Sequence, residues 1–123
     1  MFFRIIGEVP AKKNSRINTI NGRSFPSKRY TEWHNQASLQ INLQKTNNNY
    51  TKPIEHCTIE IEFIHGDLKR RDSDNGTSSI LDTLVDTGII IDDNWRVVER
   101  IKITNLYDKG NPSCEINIIE KVN

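Results

Sequence analysis

Apolar and polar positions alternate along four stretches of this chain. His56 to His65 is the most regular, with Cys57, Ile59, Ile61 and Phe63 on one face and Thr58, Glu60 and Glu62 on the other. That pattern predicts a half-buried strand, broken by Gly66. Phe2 to Val9 predicts a strand with Phe3 and Ile5 on one face, Arg4 and Ile6 on the other, and Pro10 at its end. Val97 to Thr104 and Cys114 to Ile119 predict two more, joined through a turn over Tyr107 to Pro112. Elsewhere the period becomes helical. Tyr30, Trp33, Ala37 and Ile41 form an apolar stripe on a helix expected from about Lys28 to Lys45, capped by Ser27. Leu39 and Leu43 fall off this stripe and leave a second buried face or a partner surface open. Ile80, Leu81, Leu84 and Val85 form the stripe of another helix, expected from about Asn75 to Thr87, with Gly88 just beyond its end. Trp33 is expected in the core and His34 on the surface without a ligand partner. His65 is expected at the surface at a strand end, with a supporting or catalytic role as the alternative. The TNNNYTKP segment (46–53) reads as a polar linker, and no internal repeat is present.

Charge adds an asymmetry that the net value of +1 conceals. Residues 1–50 carry 8 Lys/Arg against 2 acids (+6), and residues 51–123 carry 9 against 14 (−5). The basic excess gathers in AKKNSRINTINGRSFPSKRY, which holds six Lys/Arg and no acid. Its Asn21-Gly22 pair is a hairpin signal. As an exposed loop it is solvated; as an anion-binding loop it offers Lys12, Lys13, Arg16, Arg23, Lys28 and Arg29 to phosphates, with Asn14 and Ser15 as neutral donors. Cys57 and Cys114 sit in strand-like runs without metal-ligand spacing, so both are expected to be buried, reduced thiols. No run approaches the ~20 apolar residues of a membrane helix, and the first ten residues lack a leader-like apolar stretch, so a soluble, cytoplasmic protein is expected.

The candidate chemistry lies in KRRDSDNGTSSILDTLVDTGIIIDD (69–93). Lys69, Arg70 and Arg71 run into the pair Asp72 and Asp74, and one helix later comes the pair Asp92 and Asp93. Carboxylates suit Mg²⁺, which keeps several waters and takes few protein oxygens. Asp72 and Asp74 either aim at one ion or cap the helix and favour its dipole; Asp92-Asp93 either joins them or makes a turn. Convergence on one ion requires the chain after the helix to run back along it, because a helix of ~13 residues is ~20 Å long. Asp82 and Asp86, one turn apart, read as a solvated helix face. The basic run favours a phosphate-chain substrate attacked by metal-activated water.

The ordered set resembles the RusA family of Holliday-junction resolvases. KRRDSDN, a helix, then TGIIIDDNWRVV matches that family's basic run, D-x-D-N, helix, Gly, apolar run, D-D and valine-led strand. The early strand ending in Pro, the KKNSR loop and SKRYTEW at the first helix fit its phage-type members. The resemblance implies one α/β (α+β) domain over residues 1–123, with about four strands in a mixed sheet and two main helices. It implies a homodimeric endodeoxyribonuclease that resolves Holliday junctions and related branched DNA with Mg²⁺, Mn²⁺ being able to substitute, and with no organic cofactor. A phage or prophage source, acting in a bacterial cell, fits. The family's catalytic aspartates map onto Asp72, Asp74 and Asp93, with Asp92 as a further metal candidate and Asn75 and the basic residues above on DNA. One position departs: a family lysine four residues after the second Asp of D-x-D is Ser78 here. That departure motivates a rival, a junction-binding protein of the same fold with weak or lost catalysis. A different rival is a protein-binding module that uses its acidic half.

Overall fold

The computed structural model describes residues 1–11, 16–18 and 24–122, with 16–18 and 24–26 described by backbone alone. Lys12, Lys13, Asn14, Ser15, Arg23 and the Asn21-Gly22 turn lie outside the described residues, as does the side chain of Arg16.

The strand-like runs become β1 (Phe2–Ile6), β4 (Cys57–His65), β5 (Val98–Tyr107) and β6 (Ser113–Glu120), in one sheet of order β1-β6-β4-β5. The sheet is mixed: β6 is antiparallel to β1 and β4, while β4 and β5 are parallel. β2 (Arg16–Asn18) and β3 (Ser24–Pro26) form a separate antiparallel pair, and the helices are α1 (Lys28–Gln44) and α2 (Thr77–Asp86). The alternation places Phe3, Ile5, Ile59, Ile61, Phe63, Ile116 and Ile118 against Ala37 and Ile41 of α1 and Ile80 and Leu84 of α2, all buried. Burying these side chains is the main favourable term in folding. Trp33 packs partly buried against this core, and Leu39 and Leu43 stay exposed. Cys57 and Cys114 are buried and unpaired, as expected. Burial pushes the Cys57 thiol up to about 11 and raises Cys114 further still.

Ser27 caps α1 as its position predicts, Oγ accepting from the Tyr30 amide at 3.1 Å. One face of α1 does something hydropathy does not reveal. Gln40, Gln44 and the following Asn48 accept from the amides of Ile6, Arg4 and Phe2 at 2.8, 2.8 and 2.7 Å. Four helical residues advance ~6 Å and two strand residues ~6.6 Å, so an i, i+4, i+8 row of amides matches every second residue of a strand edge. The outer edge of β1 is thus closed by side chains. The other edge, β5, pairs only with β4 and is the open edge of the sheet among the described residues.

Two helix-end expectations change. α2 begins at Thr77, and its cap, Gly76, makes no side-chain bond. Asp72, Ser73 and Asp74 therefore do not cap it; the Asp72 and Asp74 carbonyls close turns onto the Asn75 and Thr77 amides at 3.0 and 3.1 Å. Gly76 has φ +89°, and a Cβ there would meet Val9 Cγ1 at 2.9 Å and Phe63 Cε1 at 3.2 Å, so the approach of this turn to the core requires glycine. At the far end Gly88 (φ +76°) donates to the Val85 carbonyl and Ile89 to the Leu84 carbonyl, a Schellman closure. The chain then runs on through the buried Ile89 and Ile90 instead of doubling back along α2. Ile90 bridges Ile54 in parallel, upstream of β4. β5 also runs on to Tyr107, into the predicted turn, because parallel pairing with β4 continues as far as His65↔Tyr107.

Candidate active site

A groove of about 400 Å³ opens where β4 and β5 end, lined by Lys69, Asp72 and Ser73 from the loop before α2, by His65, and by Asn105 and Tyr107. A second hollow, about 310 Å³, lies on the open sheet face around Glu60, Lys102 and Glu115, away from the aspartates. The groove, lined by Asp72 and Lys69, is the candidate site.

A chain of hydrogen bonds fixes its floor. Glu8 Oε2 lies 2.8 Å from His65 Nδ1, and His65 Nε2 lies 2.8 Å from Asn105 Oδ1. Asn105 Nδ2 then donates to the Ser73 carbonyl at 2.8 Å. Ser73 stands between Asp72 and Asp74, so Asn105 tethers the loop that carries both carboxylates. The Ser73 carbonyl can only accept, which sets the Asn105 amide and leaves its Oδ1 toward the imidazole. His65, read from sequence as a surface histidine, is instead a mostly enclosed link in this chain, with a 14 % exposed side chain. Periodicity placed it correctly at the strand end; its partners come from 57 and 40 residues away and leave no local signal.

Asp72 and Asp74 are exposed, and among the described residues neither carboxylate accepts a hydrogen bond. The basic run before them divides. Arg71 pairs with Asp67 Oδ1 at 2.9 Å and Glu8 Oε1 at 3.4 Å, with a 16 % exposed side chain. The bond from Asp67 raises its guanidinium above the ordinary value, and the same bond holds Asp67 below the usual carboxylate range. Arg71 therefore braces the loop instead of reaching outward for phosphate. Lys69 and Arg70 remain exposed. Lys28 is exposed 3.8 Å from Glu32, Arg29 is exposed, and Asn75 is half-buried with its amide in the Asp72 turn. Ser78 is exposed one residue into α2.

Asp92 and Asp93 are not in this groove. Ser73 is tied to Asn105, which pairs with Phe63, whereas Asn94 turns directly into Val98, which pairs with Cys57. Six strand residues separate those levels, or ~20 Å. The condition for both acid pairs of one chain to meet, a chain that runs back along α2, is not what these strand levels describe. The reason is the Schellman closure, which delivers the chain to the opposite end of the sheet. Asp92 Oδ1 accepts from the Asp93 amide at 2.7 Å and Oδ2 from Asn94 Nδ2 at 3.0 Å. The amide, then the Asn94 side chain, hold Asp92 below the usual carboxylate range. Beside them Trp95 is 77 % exposed, an unusual setting for so large an apolar side chain.

A mixed acid and histidine cluster of the kind that can hold a divalent metal forms elsewhere, from His34, Asp82 and Asp86. This corrects two readings. His34 has partners, its Nε2 lying 2.9 Å from Asp86 Oδ2 and 3.8 Å from Asp82 Oδ2. Asp82 is partly enclosed and accepts from the Tyr30 hydroxyl at 2.6 Å, so it is not a merely solvated position. The packing of α1 on α2 brings these groups together, and no spacing within either helix announces it.

A small mixed sheet with two helices, and a groove edged by exposed carboxylates and lysine, define a candidate phosphodiester-cleaving protein. The chain matches the family described as endodeoxyribonuclease RusA over residues 7–119 and belongs to that family. No curated protein matches it. No helix among the described residues is long and apolar enough to cross a membrane.

The tether carries a prediction. Asn105→Ala removes the donor to Ser73 and is expected to lower DNA cleavage about 10- to 100-fold, the usual effect of losing a group that orients a metal ligand. DNA affinity is expected to hold, and stability to fall by only about 1 kcal/mol. Single-turnover cleavage alongside filter binding checks it; an equal loss in both would reject the tether.

Proposed function

We propose that the protein is a Mg²⁺-dependent, structure-selective endonuclease that resolves Holliday junctions and related branched DNA, acting as a homodimer in recombination and repair. The family membership supports the reaction class. The observation that carries the site is that the Asp72 and Asp74 carboxylates stand exposed, without hydrogen bonds among the described residues and released from helix capping, with Asp72 lining the groove and Asp74 two residues on.

That donor set fits Mg²⁺: two carboxylates two residues apart, with room for water and a substrate phosphate. When bound, the ion would supply charge neutralisation at the scissile phosphate and an activated water. The chain's own residues do the remaining work. Asn105, His65 and Glu8 hold the Asp72–Asp74 loop, and Lys69 and Arg70 draw in phosphate oxygens at its edge. With Ser78 in place of a lysine, these two exposed cations are the nearest in sequence that take up its role.

Asp93 joins the site through a second copy. β5 is the open edge, and antiparallel pairing of β5 with the partner's β5 reverses the strand ends. The Asp92–Val98 end of one copy then meets the Asn105–Tyr107 end of the other. Each two-fold dimer so built has two composite sites, each with Asp72 and Asp74 from one copy and the partner's Asp93. Exposed apolar groups favour the same arrangement: Trp95 at one end of β5, and Leu68, Leu106 and Tyr107 at the other. Two symmetric sites suit paired cuts in two strands of a junction.

Incubation with a four-way junction and a linear duplex of matched length tests this reading. Mg²⁺ is expected to give junction cleavage well above duplex cleavage, and EDTA to abolish it. Salt-sensitive junction binding without cleavage in Mg²⁺ or Mn²⁺ would instead support the non-catalytic reading that Ser78 motivates.

A further inference from the structure

We propose that His34, Asp82 and Asp86 form a second metal site, for a borderline transition ion such as Zn²⁺, which clamps α1 to α2 and is separate from the groove. Asp82 and Asp86 are one turn apart on α2, a spacing that puts both carboxylates on one helix face. The same i, i+4 spacing lets the two histidines of an H-E-x-x-H helix share one zinc. α1 supplies the third donor, and one ligand atom from each residue lies within 4.8 Å of the other two. Ligands bonded to one zinc at about 2.0–2.2 Å stand roughly 3–4 Å apart, so His34 Nε2, at 2.9 Å in a hydrogen bond to Asp86 and 3.8 Å from Asp82, needs only a small separation to take an ion in place of that bond.

The donor set also indicates which ion. An imidazole nitrogen with two carboxylates favours Zn²⁺, Co²⁺ or Ni²⁺, whereas Mg²⁺ prefers oxygen alone. The surroundings resemble a built site. The Tyr30 hydroxyl donates to Asp82 Oδ2 at 2.6 Å, a support of the kind that orients a ligating carboxylate. The Tyr30 ring packs beside the His34 ring, centroids 5.8 Å apart. The three side chains are 21, 30 and 52 % exposed, which gives an ion an entry path and room for water as its remaining ligand. An ion here adds a further link between helices that already share the Tyr30–Asp82 and His34–Asp86 contacts and the Lys45 Nζ bond to the Thr87 carbonyl. Asp86, the last residue of α2, is nine residues from its start, or ~13 Å from the end beside the catalytic loop.

Equilibrium dialysis of tag-free protein against Zn²⁺, with metal analysis, tests the proposal; Co²⁺ serves as a spectroscopic probe. The Asp72→Asn protein is expected to retain one Zn²⁺ per chain, to gain Co²⁺ d–d absorption, and to melt at higher temperature with Zn²⁺. His34→Gln keeps a hydrogen-bond donor toward Asp86 but loses the imidazole. It is expected to weaken Zn²⁺ binding at least about 10-fold and to erase the thermal shift, with Asp86→Asn as a second variant and circular dichroism confirming both folds. Retention of Zn²⁺ by His34→Gln at wild-type affinity, or no Zn²⁺ bound by the parent protein, overturns the proposal. Junction cleavage by His34→Gln in Mg²⁺ is expected at the wild-type rate, so the outcome here is read separately from the proposed nuclease function.

Discussion

Asp72→Asn is expected to lower junction cleavage by at least about 1,000-fold while leaving junction affinity within about 3-fold of wild type. A metal-bound carboxylate contributes several kcal/mol of charge stabilisation to the transition state, and each 1.36 kcal/mol is tenfold in rate. The substitution keeps size and shape and removes only charge. Asp72 is exposed and its carboxylate accepts no hydrogen bond from a described residue, so folding is expected to change by less than about 0.5 kcal/mol. Removing a negative charge beside the phosphate path does not weaken DNA binding. Single-turnover cleavage with a gel-shift titration separates the two effects. Cleavage at the wild-type rate would show that Asp72 holds no catalytic metal. A parallel loss of binding would place it in the DNA interface instead.

The fold was legible wherever burial imposes a period. Cys57, Ile59, Ile61 and Phe63 read as one face of a strand because that face packs on the core. Ser27 read as a cap because its hydroxyl has one local task. Ends were less legible. Asp72, Ser73 and Asp74 are all good cap residues, yet Gly76 is the cap of α2, because the turn packs against Val9 and Phe63 and only glycine fits there. Tyr107 has turn-like neighbours but continues β5, because the partner strand extends that far. Tertiary contact, packing at Gly76 and strand pairing at Tyr107, outweighs local preference at both places. The Gln40, Gln44 and Asn48 row that closes the β1 edge looks, in sequence, like an ordinary polar helix face.

The candidate site was legible in kind more than in geometry. The basic run and the two acid pairs announce phosphate and metal chemistry through residue type alone. What each residue does depends on contacts from distant segments: Arg71 is drawn inward by Glu8, His65 is enclosed between Glu8 and Asn105, and His34 meets Asp82 and Asp86 across two helices. The largest difference concerns Asp93. In sequence it lies one helix from Asp74, which invites a site within one chain; the turn at Gly88 and the Ile54–Ile90 bridge carry it to the other end of the sheet.

The composite site is tested most directly by mixing two inactive proteins, Asp72→Asn and Asp93→Asn. Each homodimer alone is expected to be inactive, since both of its sites lack a ligand. A mixed dimer differs: one site carries both substitutions, while the other joins intact Asp72 and Asp74 to the partner's intact Asp93. Free exchange makes half the dimers mixed, each with one working site, so about a quarter of the wild-type sites return. Those dimers are expected to nick single strands of a junction instead of making paired cuts. The measurement is junction nicking after the two proteins are refolded together, with subunit exchange verified by mass spectrometry. Restored nicking is the predicted result; verified mixed dimers that remain inactive would contradict a site shared between two copies.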